Sequence, residues 1–322
     1  MLNKLIKFLL LTTICSVNSS MSQDLRHDIR AHDPAIIKKG NSYYLYCTGK
    51  GIKVWSSVDR VNWKSEPSVF SVSPQWAVDA VPGFDGFIWA PDISFFNGKY
   101  YLYYSVSTFG KNTSAIGVAT NLTLDRSDLT YKWIDHGMVI QSIAGMTNWN
   151  AIDPNIITDS DGTPYLSFGS FWDGLKLVKL SANRLKVEGS LLNLPTIASR
   201  GNRINAIEAP FIFKKGRYFY LFASIGFCCR GKESTYKIIV GRAEKVSGPF
   251  LDDKGKSLTA GGGRLVLQGN KDWYGVGHNA VANFNRKDYL IFHGYSASEN
   301  GAPKLLIRTL RWRSGWPVSS AL

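Results

Sequence analysis

The chain is poor in cysteine, in acidic groups and in helical periodicity, and each shortage removes a class of protein. Four cysteines in 322 residues, Cys15, Cys47, Cys228 and Cys229, are too few for a disulfide framework and do not stand in the paired spacing of a zinc site. Only 24 Asp and Glu oppose 38 Lys and Arg, giving a formal net charge of +14 and raising the question of a polyanionic partner. The basic residues are scattered through turns such as Lys38-Lys39 and Lys214-Lys215, with no basic helix, zinc-finger or helix-turn-helix pattern, so nucleic acid is not expected as a partner. No segment beyond the N-terminus shows a sustained helical period, and no apolar run is long enough to span a bilayer. What the chain does have is 44% apolar and 13% aromatic residues, enough for a substantial core and too much for a disordered protein.

The first residues, MLNKLIKFLLLTTICSVNSS, place Lys4 and Lys7 before a short apolar run and small polar residues, the layout of a secretory signal peptide. Residues 1–22 are read as that signal and 23–322 as a single domain, secreted or periplasmic and expected to act as a monomer. Anchoring through Cys15 as a lipoprotein is the lesser reading, because Ile14 precedes it where a small residue is usual. Loss of Lys4 and Lys7 takes the charge from +14 to +12. Adjacent Cys228 and Cys229 are compatible with a strained vicinal disulfide in an oxidising compartment or with packed or free thiols.

One segment is written five times: a short polar element, an apolar strand, a tight turn and an aromatic strand. The copies begin at His32 (HDPAIIKKGNSYYLYCTG), Ala90 (APDISFFNGKYYLYYS), Ile152 (IDPNIITDSDGTPYLSFGS), Glu208 (EAPFIFKKGRYFYLFAS) and His278 (HNAVANFNRKDYLIFHGYS). Pro34, Pro91, Pro154 and Pro210 are 57, 63 and 56 residues apart, the size of a four-stranded sheet with its loops. The turns Gly40-Asn41, Asn97-Gly98, Asp161-Gly162 and Lys215-Gly216 suit tight hairpins, since Gly and Asn tolerate positive φ. A further apolar strand follows each copy, at Gly51, Ser114, Gly174, Tyr236 and Lys304. Repeated antiparallel sheets without helices, rich in aromatics at this spacing, predict an all-β, five-bladed β-propeller. The polar residues heading the repeats then converge on one channel mouth.

Three of those residues are carboxylates, Asp33, Asp153 and Glu208. Glycosidic cleavage needs such a set, one group protonated to donate to the leaving oxygen and one ionised to activate water or attack carbon. Crowding and partial burial separate their proton affinities so that both roles coexist near neutral pH. Asp92 follows its proline and is out of phase, so it is read as a turn cap.

The ordered set HDPAII at His32, WAPDI at Trp89, IDPNI at Ile152, EAPFIF at Glu208 and GVGHNA at Gly275 resembles the blade motifs of glycoside hydrolase family 43, in its endo-1,5-α-L-arabinanase branch, from about His27 to Pro317. The resemblance implies hydrolysis of arabinan or arabino-oligosaccharides with inversion. It makes Asp33 the general base, Glu208 the general acid, and Asp153 the carboxylate that tunes and orients that acid. Inversion asks for roughly 6.5–9.5 Å between acid and base, room for a water. By the same resemblance Trp89 and Phe109 wall the sugar site, Trp172 is a further platform, and Asn155, Ser170 and His32 are substrate contacts. His278 is implied to bind a metal, calcium with waters completing its shell, although calcium prefers oxygen ligands. Within the family, action on arabinoxylan side chains or β-xylosides is the alternative. Outside it, the alternatives are a non-catalytic carbohydrate-binding propeller, against which the three acids in register argue, and a polyanion binder, whose binding would weaken steeply with salt.

Overall fold

The computed structural model describes residues 25–26 and 28–322, so the signal segment and Cys15 lie outside the described residues. Five antiparallel sheets follow one another along the chain, one per repeat, as the repeat pattern predicts. Their inner strands are Ala35–Lys39, Phe87–Phe96, Asn155–Thr158, Ile207–Lys215 and Trp273–Phe284. Each turns into a second strand through a hairpin: Asn97 and Gly98 both have positive φ, as do Asn285 and Arg286, whereas Gly40 and Gly216 supply it at the first turn position alone.

Each sheet is covered on both faces by its neighbours, which is why the second strands read as unbroken apolar runs. In Lys99–Val106 of blade 2, Tyr100, Leu102, Tyr104 and Val106 pack against blade 1, and Tyr101 and Tyr103, one step out of phase, pack against blade 3. In Tyr218–Ile225 of blade 4, Phe219, Leu221 and Ala223 face blade 3 while Tyr220 and Phe222 face blade 5. The core is thus five slabs, one in each seam between blades. The last seam joins blade 5 to blade 1 without exchanging a strand: Leu25–Arg26 pairs only at the outer edge of blade 1, and Trp316–Ser319 ends blade 5. Ile29, Ile36 and Leu45 pack on Ala280, Phe284 and Ile291, and the Arg60 guanidinium lies over Tyr43, Phe284 and Tyr289.

A second five-fold feature sits at the head of each inner strand. Asp33, Ala90, Asp153, Ala209 and His278 occupy the same repeat position, and all five are left-handed, with φ of 52°, 44°, 59°, 55° and 50°. Left-handed backbone costs an L-residue about 1–2 kcal/mol. The kink turns each N–H out of its own sheet toward the preceding blade, where it finds an acceptor. Ala90 donates to Thr48 Oγ1 (2.8 Å), Asp153 to Ser105 Oγ (3.0 Å), His278 to Ser224 Oγ (2.8 Å) and Asp33 to His293 Nδ1 (3.2 Å). Those acceptors share one position at the end of the second strands. Blade 3 has Gly169 there, with no side chain to offer, and the N–H of Ala209 is taken instead by Asp153 Oδ2 (3.0 Å).

The fold is all-β as expected; among the described residues one short α-helix, Gln75–Ala80, and two 3-10 turns, Gly231–Glu233 and Leu258–Ala260, accompany the strands. Six residues are too few to display a period, and the helix is held by tertiary contacts: Ala77 and Val81 are fully buried, and Trp76 donates to Asp135 Oδ2 (3.0 Å). Asp92 brackets two blades, accepting the N–H of Ile156 (2.8 Å) from the next inner strand. Burial raises its carboxyl to about 6 against that hydrogen bond. Because the folded state holds this proton more tightly than the unfolded chain, stability falls as pH rises from the ordinary value of 3.8 through 6. Asp92→Asn keeps an acceptor without the charge, so urea unfolding should show it gaining on wild type across that window. Asp92→Leu orphans the amide and should lose about 1–3 kcal/mol at neutral pH.

Candidate functional site

The heads of the five inner strands open into one cavity of about 710 Å³. Of the residues singled out in the sequence, His32, Asp33, Trp89, Phe109, Asp153, Ser170, Trp172, Glu208 and His278 all line it. Asn155 does not. Its side chain is buried, its Oδ1 accepts the N–H of Ile212 (2.8 Å) and its Nδ2 lies 3.4 Å from Asp92, so it brackets blades 3 and 4 one turn below the cavity wall. Asn155 and Asp92 share one repeat position and one kind of work.

The carboxylates arrive by two routes. Asp33 and Asp153 are themselves the left-handed residues of blades 1 and 3, whereas Glu208 precedes the left-handed Ala209 and shares its register with Trp89 and His32. Glu208 is held by Ser170, whose hydroxyl donates to Oε2 at 2.7 Å. Asp153 is fixed by its two bracket bonds and so cannot swing away from Glu208's blade. Burial raises the Asp153 carboxyl, the His278 imidazolium opposes that, and the charges of Glu208 and Asp33 add to it; the result is about 8. Asp153 therefore carries a proton at neutral pH.

Asp33 is treated in the opposite way. Burial would raise its carboxyl, but His32 and His278 outweigh burial and hold it well below the ordinary range. His32 Nδ1 is 2.9 Å from Oδ2, His278 Nδ1 is 3.0 Å from Oδ1, and the Thr48 hydroxyl donates to Oδ2 at 2.5 Å. Despite burial, pairing with Asp33 raises His32 to about 10, and Asp33 with Asp153 raises His278 to about 9. Both are imidazolium at neutral pH, and His293, stacked on His32 at 4.0 Å, is driven well down by burial and its charged neighbours and stays neutral. The cavity floor thus holds an ionised carboxylate in blade 1 and a protonated one, Asp153, in blade 3.

Aromatic surface surrounds these groups. Phe109, Phe87 and Trp172 are 75%, 44% and 40% exposed, and Phe171 and Phe227 lie 6.0 Å apart on the same wall. Trp172 stands on a loop of two left-handed residues, Phe171 and Trp172, tied down by Asn205 Nδ2 to the Trp172 carbonyl (2.8 Å) and by buried Lys176 to Asp173 (2.6 Å). Apolar faces ringed by a few fixed polar groups are what a sugar requires.

Sequence reasoning missed Thr48, His293 and Tyr295, which support Asp33 and His32 from the ends of second strands. The signal for Thr48 and His293 was the third residue after the leucine of each second strand, which reads Thr48, Ser105, Gly169, Ser224 and His293 down the repeats. The metal expected at His278 can be weighed by its donors. With Nδ1 on Asp33, Nε2 bonds no protein group among the described residues, and the amide of neighbouring Asn279 is buried with both polar atoms unpartnered. That imidazole nitrogen, on the cavity side, fits a cation whose shell is otherwise completed by water, and the carboxylate behind Nδ1 is the usual support for a ligating histidine. Such an ion would displace the second proton of His278.

Among the described residues the cysteines carry no disulfide: Cys47 is a buried thiol, and Cys228 and Cys229 are thiols on the cavity wall.

Residues 27–317 match the profile of Glycosyl hydrolases family 43. Among similar proteins, the extracellular exo-α-(1→5)-L-arabinofuranosidase ArbA of Cellvibrio japonicus is 47% identical over 302 residues, 90% of this chain and 86% of its own. The extracellular endo-α-(1→5)-L-arabinanase 1 of Bacillus subtilis is 46% identical over 290 residues, 89% and 86% of the two chains. The structure of Cellvibrio cellulosa α-L-arabinanase complexed with arabinohexaose superposes with a TM-score of 0.87 at 46% identity, covering 91% of this chain and 96% of that one. By profile, by sequence and by fold, the chain belongs to glycosyl hydrolases family 43.

Proposed function

We propose that this protein is an exported arabinanase that hydrolyses internal α-1,5-L-arabinofuranosidic bonds of arabinan with inversion. The observation that carries the reading is the convergence of Asp33, Asp153 and Glu208, from three different blades, in one aromatic-walled cavity. Export is supported by the signal-like N-terminus and by the extracellular names of the two relatives.

In the proposed mechanism, arabinofuranosyl rings lie against Trp89, Phe109 and Trp172. Asp33 takes a proton from a water as that water attacks the anomeric carbon, and Glu208 gives a proton to the departing glycosidic oxygen. Asp33 and Glu208 stand on different blades with no hydrogen bond between them, which suits a water held between base and sugar. Asp153 keeps its own proton at neutral pH, so it sets no negative charge against Glu208. A cation at His278, calcium in this reading, would be held by His278 with waters and would supply positive charge beside the acidic floor.

Reducing-sugar release from linear arabinan tests the roles, with xylan as the control polymer. Asp33→Asn, Glu208→Gln and Asp153→Asn should each lower kcat by about 10²–10⁴-fold while the folded far-UV spectrum persists. Faster cutting of xylan would replace the specificity, and binding without cutting would replace the enzyme by a carbohydrate-binding propeller. Early loss of viscosity marks internal cleavage, whereas short products alone from the outset would mark exo action like that named for the Cellvibrio japonicus relative. Proton NMR of the first product gives the anomer, and retention would refute the water-activating role of Asp33.

The alkaline limb of kcat/KM should fall near pH 8, where Asp153 loses its proton and sets a negative charge against Glu208. Asp153→Asn keeps a neutral amide where the carboxyl would ionise, so its residual activity should lose that alkaline limb. Chelation with EDTA should reduce activity that calcium restores, and calorimetric titration should show calcium binding abolished in His278→Ala.

A further inference from the structure

Cys228 and Cys229 follow the second strand of blade 4, and both line the cavity at positions open to solvent. Cys229 is left-handed, φ 60°, and its N–H donates to the Tyr295 hydroxyl at 2.7 Å. Its sulfur lies 3.9 Å from His32 Nε2, and the same Tyr295 hydroxyl is 2.9 Å from that nitrogen. His32 then reaches Asp33 through its other nitrogen. The sulfur of Cys229 is therefore one imidazole away from the carboxylate assigned as base. A hydrogen bond from Cys228, with help from His32, lowers the Cys229 thiol to about 6, so it is the more nucleophilic of the two at neutral pH.

We propose that Cys228 and Cys229 form a dithiol–disulfide site in the cavity wall, and that joining their sulfurs slows hydrolysis by drawing the Cys229 sulfur away from His32. The oxidant is a low-molecular-weight disulfide. The Cys229 thiolate attacks one of its sulfurs, forming a mixed disulfide and expelling one thiolate. Cys228 then releases its proton to solvent and attacks the Cys229 sulfur, expelling the second thiolate. Two protein thiols are oxidised, one external disulfide is reduced to two thiols, and no other reactant is needed. The third thiol, Cys47, is fully buried and takes no part.

The inference rests on the proposed role of Asp33, and three readouts separate the two. The whole protein is treated with oxidised glutathione or with dithiothreitol, mapped by mass spectrometry, assayed on linear arabinan, and followed by the histidine ring signals in NMR. The expected result is loss of two hydrogens confined to the peptide holding both cysteines, a shifted His32 signal, and a kcat lower by roughly tenfold, a fraction of what a positioned base supplies. Dithiothreitol should reverse all three, and Cys228→Ala and Cys229→Ala should each lose the response. No linkage, or linkage that leaves kcat and the His32 signal unchanged, overturns the inference. A reduced protein that fails to cut arabinan overturns the arabinanase reading instead, and the His32 signal then decides whether the sulfur pair acts on that imidazole.

Discussion

A backbone amide turned out of its own sheet must find an acceptor, and the ring of blades is organised around five such amides. Each inner strand carries, within its first half or just before it, a left-handed residue whose N–H leaves the ladder and is caught by the blade before it. The kink is unfavourable in isolation, and the acceptor next door is what makes it tenable. The same kink aims the neighbouring side chains into the channel mouth. Packing between blades, the direction of the functional groups and closure of the ring are consequences of one repeated hydrogen bond.

The exception explains the chemistry. Where blades 1, 2, 4 and 5 supply Thr48, Ser105, Ser224 and His293, blade 3 supplies a glycine, and Asp153 performs the bracket in its place. Ser170, one residue on, is thereby free to bond Glu208. A carboxyl that would otherwise serve only structure is thus pinned beside the group assigned as acid, in a dry place where its proton is retained. On the other side of the cavity two imidazolium groups force Asp33 to remain ionised. Two environments built from the same repeat position push two aspartates in opposite directions.

Much of this was legible in the sequence because repetition amplifies weak signals. One Asp-Pro is an ordinary turn, but five heads in register fix the blade count, the channel and the convergence of Asp33, Asp153 and Glu208. Asn155 was misplaced because its neighbour Asp153 points into the cavity, and two residues further along a kinked strand the side chain serves the next seam instead. Thr48, His293 and Tyr295 escaped notice because a hydroxyl or imidazole closing an aromatic strand looks like an ordinary end of strand. The helix at Gln75–Ala80 was invisible for a different reason, being defined by burial of Ala77 and Val81 rather than by any pattern of its own.

The seam between blades 5 and 1 is closed by side chains and single backbone amides with no strand exchanged, and Asp33 sits on it, gripped from blade 5 by His278 and His293. Ring closure and proton affinity are therefore one mechanical variable. A ring that breathes open at this join would loosen His278 from the carboxylate and His293 from its amide while every ladder within the blades stayed intact. Such a molecule would look folded to any probe of strand content and would already have lost the fixed position of its base, so catalysis acts as a strain gauge for the one unsewn edge of the propeller.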